Sequence, residues 1–354
     1  MKKLKGKYTS FNDIFISEQL SSVLSRSDLD TTSFIGPLKL AIPVLSANMP
    51  AITGVEMAIA MAQEGGLGIL PRFNSIEQAV GDYQKASSVC GYMVGVSIGV
   101  KPEDQDRFSA LFEAGARIFC IDVAHGHHTL LRDMVQWIRN KYGAYTGPSI
   151  WNGELNTGPI IIGGNVATPE GIYDLKNWGC DIIKFGIGPG AACLTRKNTG
   201  VGLPQFGALE HAYNTLYNES HIFLPPIIAD GGIQYTGDVA KALIFANGVM
   251  VAKMIAGSTE TPGIAYDDRD GGEYKRFGGS ASGEHKVANG NGNKHIEGYV
   301  MQVKVTGSVR KALRKIKEAL QTAMSYTGVS NMEDYRDKVV YGEMTHNGSI
   351  ESKL

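Results

Sequence analysis

Eight short apolar segments recur along the chain, and each is followed by a turn and then by a stretch with the apolar spacing of a helix. Continuous apolar runs of this length are typical of parallel strands that are buried on both faces. Eight strand-then-helix units predict an α/β fold, the TIM (β/α)8 barrel, in preference to a doubly wound sheet. The predicted strands are residues 40–45, 66–70, 92–100, 118–123, 159–163, 181–187, 226–229 and 249–251.

A long insertion, from about 256 to 305, separates the eighth predicted strand from the last predicted helix. Its part 261–298 is glycine-rich and polar, and it is too long for an ordinary connection. We therefore expect an active-site flap inserted after strand eight, with a disordered loop as the alternative. Residues 143–158 are rich in turn formers and predict a surface hairpin or loop. The predicted helices are 53–64, 75–88, 103–115, 129–142, 169–178, 204–217, 236–246 and about 307–327.

Length and composition favour one barrel domain over residues 1–354. The chain has 43% hydrophobic residues and a formal net charge of −1. Its net charge therefore does not favour binding to nucleic acid or to a membrane surface. No apolar run reaches transmembrane length. Its 4 cysteines lack metal or CxxC spacing and are typical of reduced thiols in a cytoplasmic protein. The terminal residues 352–354, Ser-Lys-Leu, match a peroxisomal address, which counts only if the source is a eukaryote with such organelles.

The most distinctive stretch is 181–202, where an apolar run leads into a glycine-rich turn and then into Cys193. Glycines leave no Cβ in the way, so backbone groups of such a turn can approach a ligand closely. Thr195 follows the cysteine by two residues and Arg196 by three. A cysteine beside a hydroxyl and a guanidinium is a candidate nucleophile. The alternative from the residues alone is a buried cysteine next to a tight turn.

Glycines and polar side chains follow most of the other predicted strands. In a TIM barrel the loops at the carboxyl ends of the strands build the active site, so these residues are expected to meet there. Three histidines, 125, 127 and 128, follow strand four, but their tight spacing and the lack of an accompanying thiol or carboxylate cluster argue against a metal site. The candidates at the strand ends are Met49, Asp122, Ala124, His125, Asn165, Asp230, Gly231, Gly232 and Lys253.

The run GIGPG-x-x-C-x-T-R at 186–196, with GVG-x-PQ at 200–205, resembles the catalytic loop of the IMP dehydrogenase/GMP reductase family. The resemblance extends over nearly the whole chain. It implies that Cys193 attacks C2 of a purine mononucleotide. Dehydrogenases of the family usually carry CBS modules after the second barrel helix, and only a few residues separate 88 from 92 here, so no CBS domain is expected.

The same resemblance assigns roles to the other candidates. It implies that Asp230 holds the ribose hydroxyls and that Gly231 and Gly232 meet the phosphate. Where the family commonly has Gly-Ser or Gly-Gly after strand eight, this chain has Ala252 and Lys253, and Lys253 is expected to compensate at the phosphate. The carbonyls of Gly188, Gly190 and Cys193 would bind K⁺. The residues expected near the cofactor are Asp122, Ala124, His125, Asn165 and Lys184.

The flap separates the two activities of the family. Dehydrogenases activate water with an Arg-Tyr pair on the flap, and no Arg or Tyr lies between 283 and 298. Reductases pair a threonine with a flap glutamate to protonate the leaving amine. Thr195 and Glu297 match this pair, and Glu284 is the alternative candidate for the glutamate. The resemblance also places four flap residues, and Met49 outside the flap, at the purine. These flap residues are Gly279, Ser280, Lys294 and Gly298.

The resemblance therefore implies NADPH-dependent reductive deamination of GMP to IMP and ammonia by a homotetramer. Three alternatives stay open: a dehydrogenase without CBS modules, a reductase for a deoxy or modified purine nucleotide, and a nucleotide-binding protein without turnover. The departures at Ala191, Ala252 and Lys253 motivate the last of these, while Asp230 argues for a ribonucleotide.

Overall fold

Eight parallel strands close into a barrel, which confirms the predicted TIM barrel. Several residues that carried sequence predictions lie outside the residues described by the computed structural model: Ser280, Glu284, Lys294, Glu297, residues 147–157 of the predicted hairpin or loop, and the terminal 352–354. The described residues are 8–146, 158–219, 224–267, 271–279 and 298–351.

The barrel strands follow one another in chain order, and the eighth pairs with the first, with Val249 opposite Val44. Almost every strand residue is buried, because the strands pack against side chains inside the barrel and against helices outside it. The strands are β1 (Val44–Ser46), β2 (Leu67–Leu70), β3 (Val94–Ile98), β4 (Ile118–Asp122), β5 (Ile160–Val166), β6 (Ile182–Phe185), β7 (Ile227–Asp230) and β8 (Gly248–Val251).

A helix follows each strand, and local signals set several of their boundaries. The side chains of Ser75, Thr168 and Ser308 cap the amino ends of the helices after β2, after β5 and after the insertion. None of the described helices is long and apolar enough to cross a membrane. The helices are α1 (Val55–Gln63), α2 (Ile76–Cys90), α3 (Glu103–Glu113), α4 (Thr129–Tyr142), α5 (Pro169–Trp178), α6 (Gln205–Tyr213), α7 (Thr236–Ala242) and α8 (Val309–Tyr326).

Several strand boundaries differ from the sequence prediction, and three of the differences have a clear structural basis. The run 40–45 does not form one strand: Leu38–Leu40 pairs antiparallel with Ser33–Ile35, and β1 begins only after Pro43, which cannot donate a ladder hydrogen bond. Strand β5 runs to Val166 instead of ending at 163, so Asn165 lies within the strand and not in the following loop. Strand β6 ends at Phe185, because Gly186 adopts a φ of 138°.

Two predicted helices end differently from the prediction. Residues 214–219 continue α6 as a π-helical segment, and α7 ends at Ala242 instead of 246. Strand β3 begins at Val94, so only residues 91–93 connect it to α2.

The insertion contributes a small antiparallel sheet beside the barrel mouth. Its strands are β9 (Tyr266–Asp267), β10 (Glu273–Gly278) and β11 (Val300–Lys304), with β10 in the middle. The chain ends are tied together separately, because Ile14–Ile16 pairs antiparallel with Tyr341–Glu343. The two remaining α-helices near the carboxyl end are Met332–Lys338 and His346–Glu351.

Candidate active site

A cavity of about 770 Å³ opens at the carboxyl ends of the barrel strands. This volume lies in the range of small-molecule and cofactor sites. Two of the described candidates, His125 and Lys184, are not on its wall: His125 is exposed, and Lys184 is buried beneath it. The sequence-predicted residues that do line the wall are Met49, Asp122, Ala124, Asn165, Gly188, Gly190, Cys193, Thr195, Asp230, Gly231, Gly232, Lys253, Gly279 and Gly298.

Cys193 sits in a tight turn on this wall. Its backbone N–H donates to the carbonyl of Gly190 at 3.0 Å, and its thiol donates to Oγ1 of Thr195 at 3.3 Å. Thr195 begins a short helix, Thr195–Thr199. Behind the turn, buried Gln205 donates from Nε2 to the carbonyl of Phe185 at 2.8 Å. The thiol and the hydroxyl are therefore held side by side, facing the cavity.

The loop after β6 and the loop after β7 lie so close together that two glycines are needed. A Cβ on Gly186 would lie 2.1 Å from the carbonyl oxygen of Asp230, and one on Gly231 would lie 3.0 Å from the backbone nitrogen of Gly190. Both glycines also have positive φ angles, 138° and 96°. These glycines thus bring the carboxylate of Asp230 and the thiol of Cys193 to one cavity.

A buried network connects the ends of four barrel strands under the cavity. The Lys184 ammonium lies 2.9 Å from a carboxylate oxygen of Asp230 and 3.5 Å from one of Asp122, and it donates to Oδ1 of Asn165. Asn165 in turn donates from Nδ2 to Asp230 at 2.9 Å and to the carbonyl of Gly186 at 2.8 Å. The network fixes the position of the Asp230 carboxylate relative to β4, β5 and β6.

The charge on Lys184 is stabilised in spite of its burial. Desolvation by itself would lower the pKa of Lys184, but the carboxylates of Asp230 and Asp122 outweigh it and hold this pKa above its usual value. The side chain is 4% exposed. The family resemblance implies a place for Lys184 near the cofactor, and in the structure its ammonium is the ion-pair partner of two cavity carboxylates.

A second, smaller cavity of about 160 Å³ lies against this network. Its wall includes Asn48, Asp122, Lys184 and Asp230. The Nδ2 group of Asn48 is buried and has no hydrogen-bond partner within the described part of the chain. The floor of the site therefore presents an available donor beside charged groups.

Residues after β2 and β3 also line the main cavity, and the sequence analysis did not select them. Arg72 lies with Nε 3.6 Å from Oδ2 of Asp122 and stacks on the ring of Phe73. Asn74 and Lys101 complete this wall. The position of Arg72 just after the second predicted strand was the signal that could have identified it. Residues that follow barrel strands are expected to build the active site, and this holds for β2 as for the other strands.

Buried polar contacts hold these two loops in place. Arg107, which is 7% exposed, donates to Oδ1 of Asn74 at 3.1 Å and also to its backbone carbonyl. Asp104 accepts from the backbone nitrogens of Gly99 and Lys101, both at 3.0 Å. These contacts therefore fix the backbone of the loops after β2 and β3, which form the cavity wall opposite the β6 loop.

The described ends of the insertion rest on the Cys193 turn. Gly298 forms an isolated antiparallel bridge with Cys193, and the Tyr299 N–H donates to the carbonyl of Ala192 at 3.3 Å. The Tyr299 hydroxyl donates to the carbonyl of Ala191 at 2.9 Å. Gly279 is buried against the same turn, where a Cβ would lie 3.0 Å from the carbonyl oxygen of Ala192.

Burial disfavours ionisation of the thiols of Cys90, Cys120 and Cys180. Burial raises the pKa of Cys120 to about 12 and also raises the pKa values of Cys180 and Cys90. A neutral thiol is a poor nucleophile, and none of these three lines the main cavity. The arrangement singles out Cys193 as the candidate nucleophile.

The histidines after β4 do not converge on one point. Nε2 of His127 contacts Oδ2 of Asp174 on α5 at 2.7 Å, while His125 and His128 are exposed. Across the described ranges, no group of three or more His, Cys, Asp and Glu side chains could hold a metal ion.

A barrel whose mouth carries a cysteine beside a hydroxyl, with a fixed carboxylate on the adjoining loop, has the arrangement of a barrel enzyme. The chain belongs to the IMP dehydrogenase/GMP reductase family, because the IMP dehydrogenase / GMP reductase domain matches residues 8–354. It is 34% identical to a GMP reductase of Lactobacillus delbrueckii subsp. bulgaricus over 96% of both chains. It is 33% identical to a GMP reductase of Ligilactobacillus salivarius, over 96% of this chain and 98% of that one. A GMP reductase of Streptococcus agalactiae is 34% identical over 96% of both chains.

The Lys184 network predicts a large loss of stability in Lys184→Met. The change leaves the carboxylates of Asp122 and Asp230 close together without their cation, and breaking a buried ion pair costs about 3 kcal/mol or more. Urea unfolding followed by circular dichroism measures the loss. The exposed Lys197 provides the control, since Lys197→Met is expected to change stability by less than about 0.5 kcal/mol. Equal stability of the two variants would contradict the proposed importance of the network.

Proposed function

We propose that this protein is an NADPH-dependent GMP reductase, which converts GMP to IMP and ammonia through a covalent adduct on Cys193. The observation that carries the proposal is the 3.3 Å contact between the Cys193 thiol and the Thr195 hydroxyl at the cavity wall. The similarity to three bacterial GMP reductases supports the choice of substrate.

The chemistry requires a nucleophile and an acid at one carbon. The Cys193 thiolate forms a bond to C2 of the guanine ring, and the bond from C2 to the exocyclic nitrogen then breaks. An amine leaves poorly unless it is protonated, so a hydroxyl beside the sulfur, supplied with a proton by a carboxyl group, acts as general acid. We assign these roles to Thr195 and Glu297. Gly298, the residue after Glu297, is bridged to Cys193, which supports bringing the flap to the thiol.

The remaining wall suits the parts of a purine mononucleotide. We assign the ribose hydroxyls to Asp230, whose carboxylate is fixed by the Lys184 network and can accept two hydrogen bonds. Backbone N–H groups of Gly231 and Gly232 are assigned to the phosphate. The purine ring is assigned to residues that adjoin Cys193 or close over it. These are Met49, Gly279, Ser280, Lys294 and Gly298.

The wall after β2, β3 and β4 is assigned to the nicotinamide cofactor. It lies across the barrel from β6, and Nε of Arg72 is buried there without a hydrogen-bond partner in the described chain. A reduced nicotinamide bound there would supply hydride to C2 once ammonia has left, and the cysteine thiolate would then be released. We place Asp122, Ala124 and Asn165 at this cofactor, and the preference for NADPH follows from the resemblance.

A potassium ion is proposed at the carbonyls of Gly188, Gly190 and Cys193. The Gly190 carbonyl already accepts one hydrogen bond, from the Cys193 N–H, but a carbonyl oxygen has a second lone pair for a cation. The ion would hold the turn in the shape that presents the thiol.

A homotetrameric assembly is proposed from the resemblance alone, and light scattering measures it directly.

Absorbance at 340 nm tests the activity. With GMP and NADPH we expect falling absorbance matched by IMP and ammonia, stronger with potassium than without it. Cys193→Ala is expected to lower kcat by about 1000-fold or more, because the covalent step is lost. Cys90→Ala serves as the control, since Cys90 is away from the cavity. Rising absorbance with IMP and NAD instead would identify a dehydrogenase, and no change in either assay would indicate another purine or a binding protein.

Thr195→Val and Glu297→Gln test the acid pair. Both variants are expected to slow ammonia release in a single turnover by about 100-fold, since protonation of the leaving group is lost. Hydride transfer in the opposite direction, from IMP to NADP, involves no ammonia and is expected to keep most of its rate. Quenched-flow measurement of both half-reactions separates the steps. Normal ammonia release in Glu297→Gln would refute the role assigned to that residue.

Lys253→Ala tests phosphate recognition. Lys253 is exposed on the cavity wall next to Ala252, and neither Ala252 nor Ala191 offers a hydroxyl to a phosphate. Loss of a charged hydrogen bond is expected to raise KM for GMP by about tenfold or more with kcat nearly unchanged. Guanosine, which lacks the phosphate, is the matched control ligand, and its affinity is expected to be equal in the variant and the parent protein. An unchanged KM for GMP would remove Lys253 from the phosphate site.

A further inference from the structure

Lys275 on β10 is buried in the insertion, 6% exposed, and its ammonium is surrounded by oxygens. Its Nζ donates to the carbonyls of Ser258 at 3.0 Å, Thr259 at 3.1 Å and Thr261 at 2.8 Å. Oγ1 of Thr261 lies 3.1 Å away as a fourth oxygen partner. All four oxygens come from the single turn 258–261, which curls around the ammonium.

A cation at its centre would stabilise such a turn, beyond the hydrogen bonds that Thr261 donates to the Ser258 carbonyl. Carbonyl dipoles that point their negative ends at one place repel each other, and a positive charge there reverses the sign of the interaction. Carbonyl oxygens also coordinate monovalent ions in this way in other proteins. The ammonium of Lys275 fills the position that such an ion would take, and the chain supplies it from its own β10.

The turn 258–261 is fixed to the barrel on its other side. Ser258 forms a parallel bridge with Gly307, whose carbonyl accepts from the N–H of Thr259 at 3.0 Å. Glu260 accepts from the first backbone N–H of α8, that of Val309, at 2.8 Å. Lys275 therefore attaches β10 to a part of the frame that also holds the start of α8.

The other end of β10 reaches the cavity. Phe277, two residues beyond Lys275, is 1% exposed and lines the main cavity. Gly279 then packs against Ala192, and the paired strand β11 is preceded by Gly298, which bridges to Cys193. A displacement of β10 at Lys275 would be transmitted over four residues to the turn that carries the thiol.

We propose that Lys275 is a positioning residue whose ammonium acts as a built-in monovalent cation and stabilises the turn 258–261. In this way Lys275 holds the base of the flap, Gly279 and Gly298, against the Cys193 turn. Its effect on turnover rests on the proposed function, whereas its effect on the exposure of the Cys193 thiol does not. Thiol labelling therefore tests the inference even if GMP is not the substrate.

The first experiment measures alkylation of Cys193 by iodoacetamide, with peptide mass spectrometry. Lys275→Met removes the ammonium but keeps the apolar stem, so the flap base is expected to open locally and Cys193 to react at least about fivefold faster. Cys120 and Cys180 are buried in the barrel and act as internal references for global unfolding. The exposed Lys304 on β11 provides the matched control, and Lys304→Met is expected to label at the parent rate.

Rescue by a diffusible ammonium provides a second, independent readout. In Lys275→Ala, propylammonium can enter the space left by the side chain and is expected to return Cys193 labelling to within about twofold of the parent rate. Tetramethylammonium, which cannot donate hydrogen bonds, controls for ionic strength. If the protein has the proposed activity, kcat with GMP is expected to fall about tenfold in Lys275→Met and to recover in parallel in the rescued Lys275→Ala.

Each alternative result has a definite meaning. Unchanged Cys193 labelling in Lys275→Met, labelling of Cys120 and Cys180 in parallel with Cys193, or a folded Lys275→Ala protein that propylammonium does not rescue would each overturn the proposal. If both lysine variants fail to fold, Thr261→Val removes one oxygen of the four and is expected to accelerate Cys193 labelling by a smaller factor, about twofold. No acceleration in that variant would also overturn it.

Discussion

The mouth of the barrel depends on one buried ammonium, that of Lys184, held between the carboxylates of Asp122 and Asp230. Without it, two negative groups from β4 and β7 would face each other at the rim of the barrel interior, where charge is costly. With it, Asn165 is bound as well, and through Asn165 the carbonyl of Gly186. The start of the cysteine loop and the carboxylate beside it are thus positioned by the same cation.

Much of the fold follows from the sequence because parallel barrel strands are buried on both faces and therefore show as unbroken apolar runs. The predicted strand boundaries were wrong where the conformation of the backbone, and not the polarity of the side chains, determines where a strand begins or ends. Pro43 divides the first run, and a positive φ at Gly186 ends the sixth strand early. The sequence predicts Asn165 in the loop after strand five, whereas in the structure it lies within β5 and its side chain is hydrogen-bonded to Lys184 of β6 and Asp230 of β7.

The candidate site was predictable to the extent that a residue type reveals its own chemistry. A lone cysteine among glycines and an aspartate after a strand are visible in the sequence. The partnership of Lys184 with two carboxylates is not, since it joins strands that are far apart along the chain. Arg72 could have been found from its position after the second predicted strand, but its ion pair with Asp122 could not, because that contact joins the loop after β2 to the end of β4.

The glycines between the two central loops carry a consequence for how this protein can diverge. Gly186 and Gly231 let two stretches of backbone touch, so neither of these two positions has room for a side chain. A mutation that enlarges one loop is tolerated only if the other withdraws, and withdrawal separates the carboxylate from the thiol. The loops after β6 and β7 can therefore change only together. New substrate preferences are more accessible through changes in the outer wall of the cavity and in the insertion than through changes where these two loops meet.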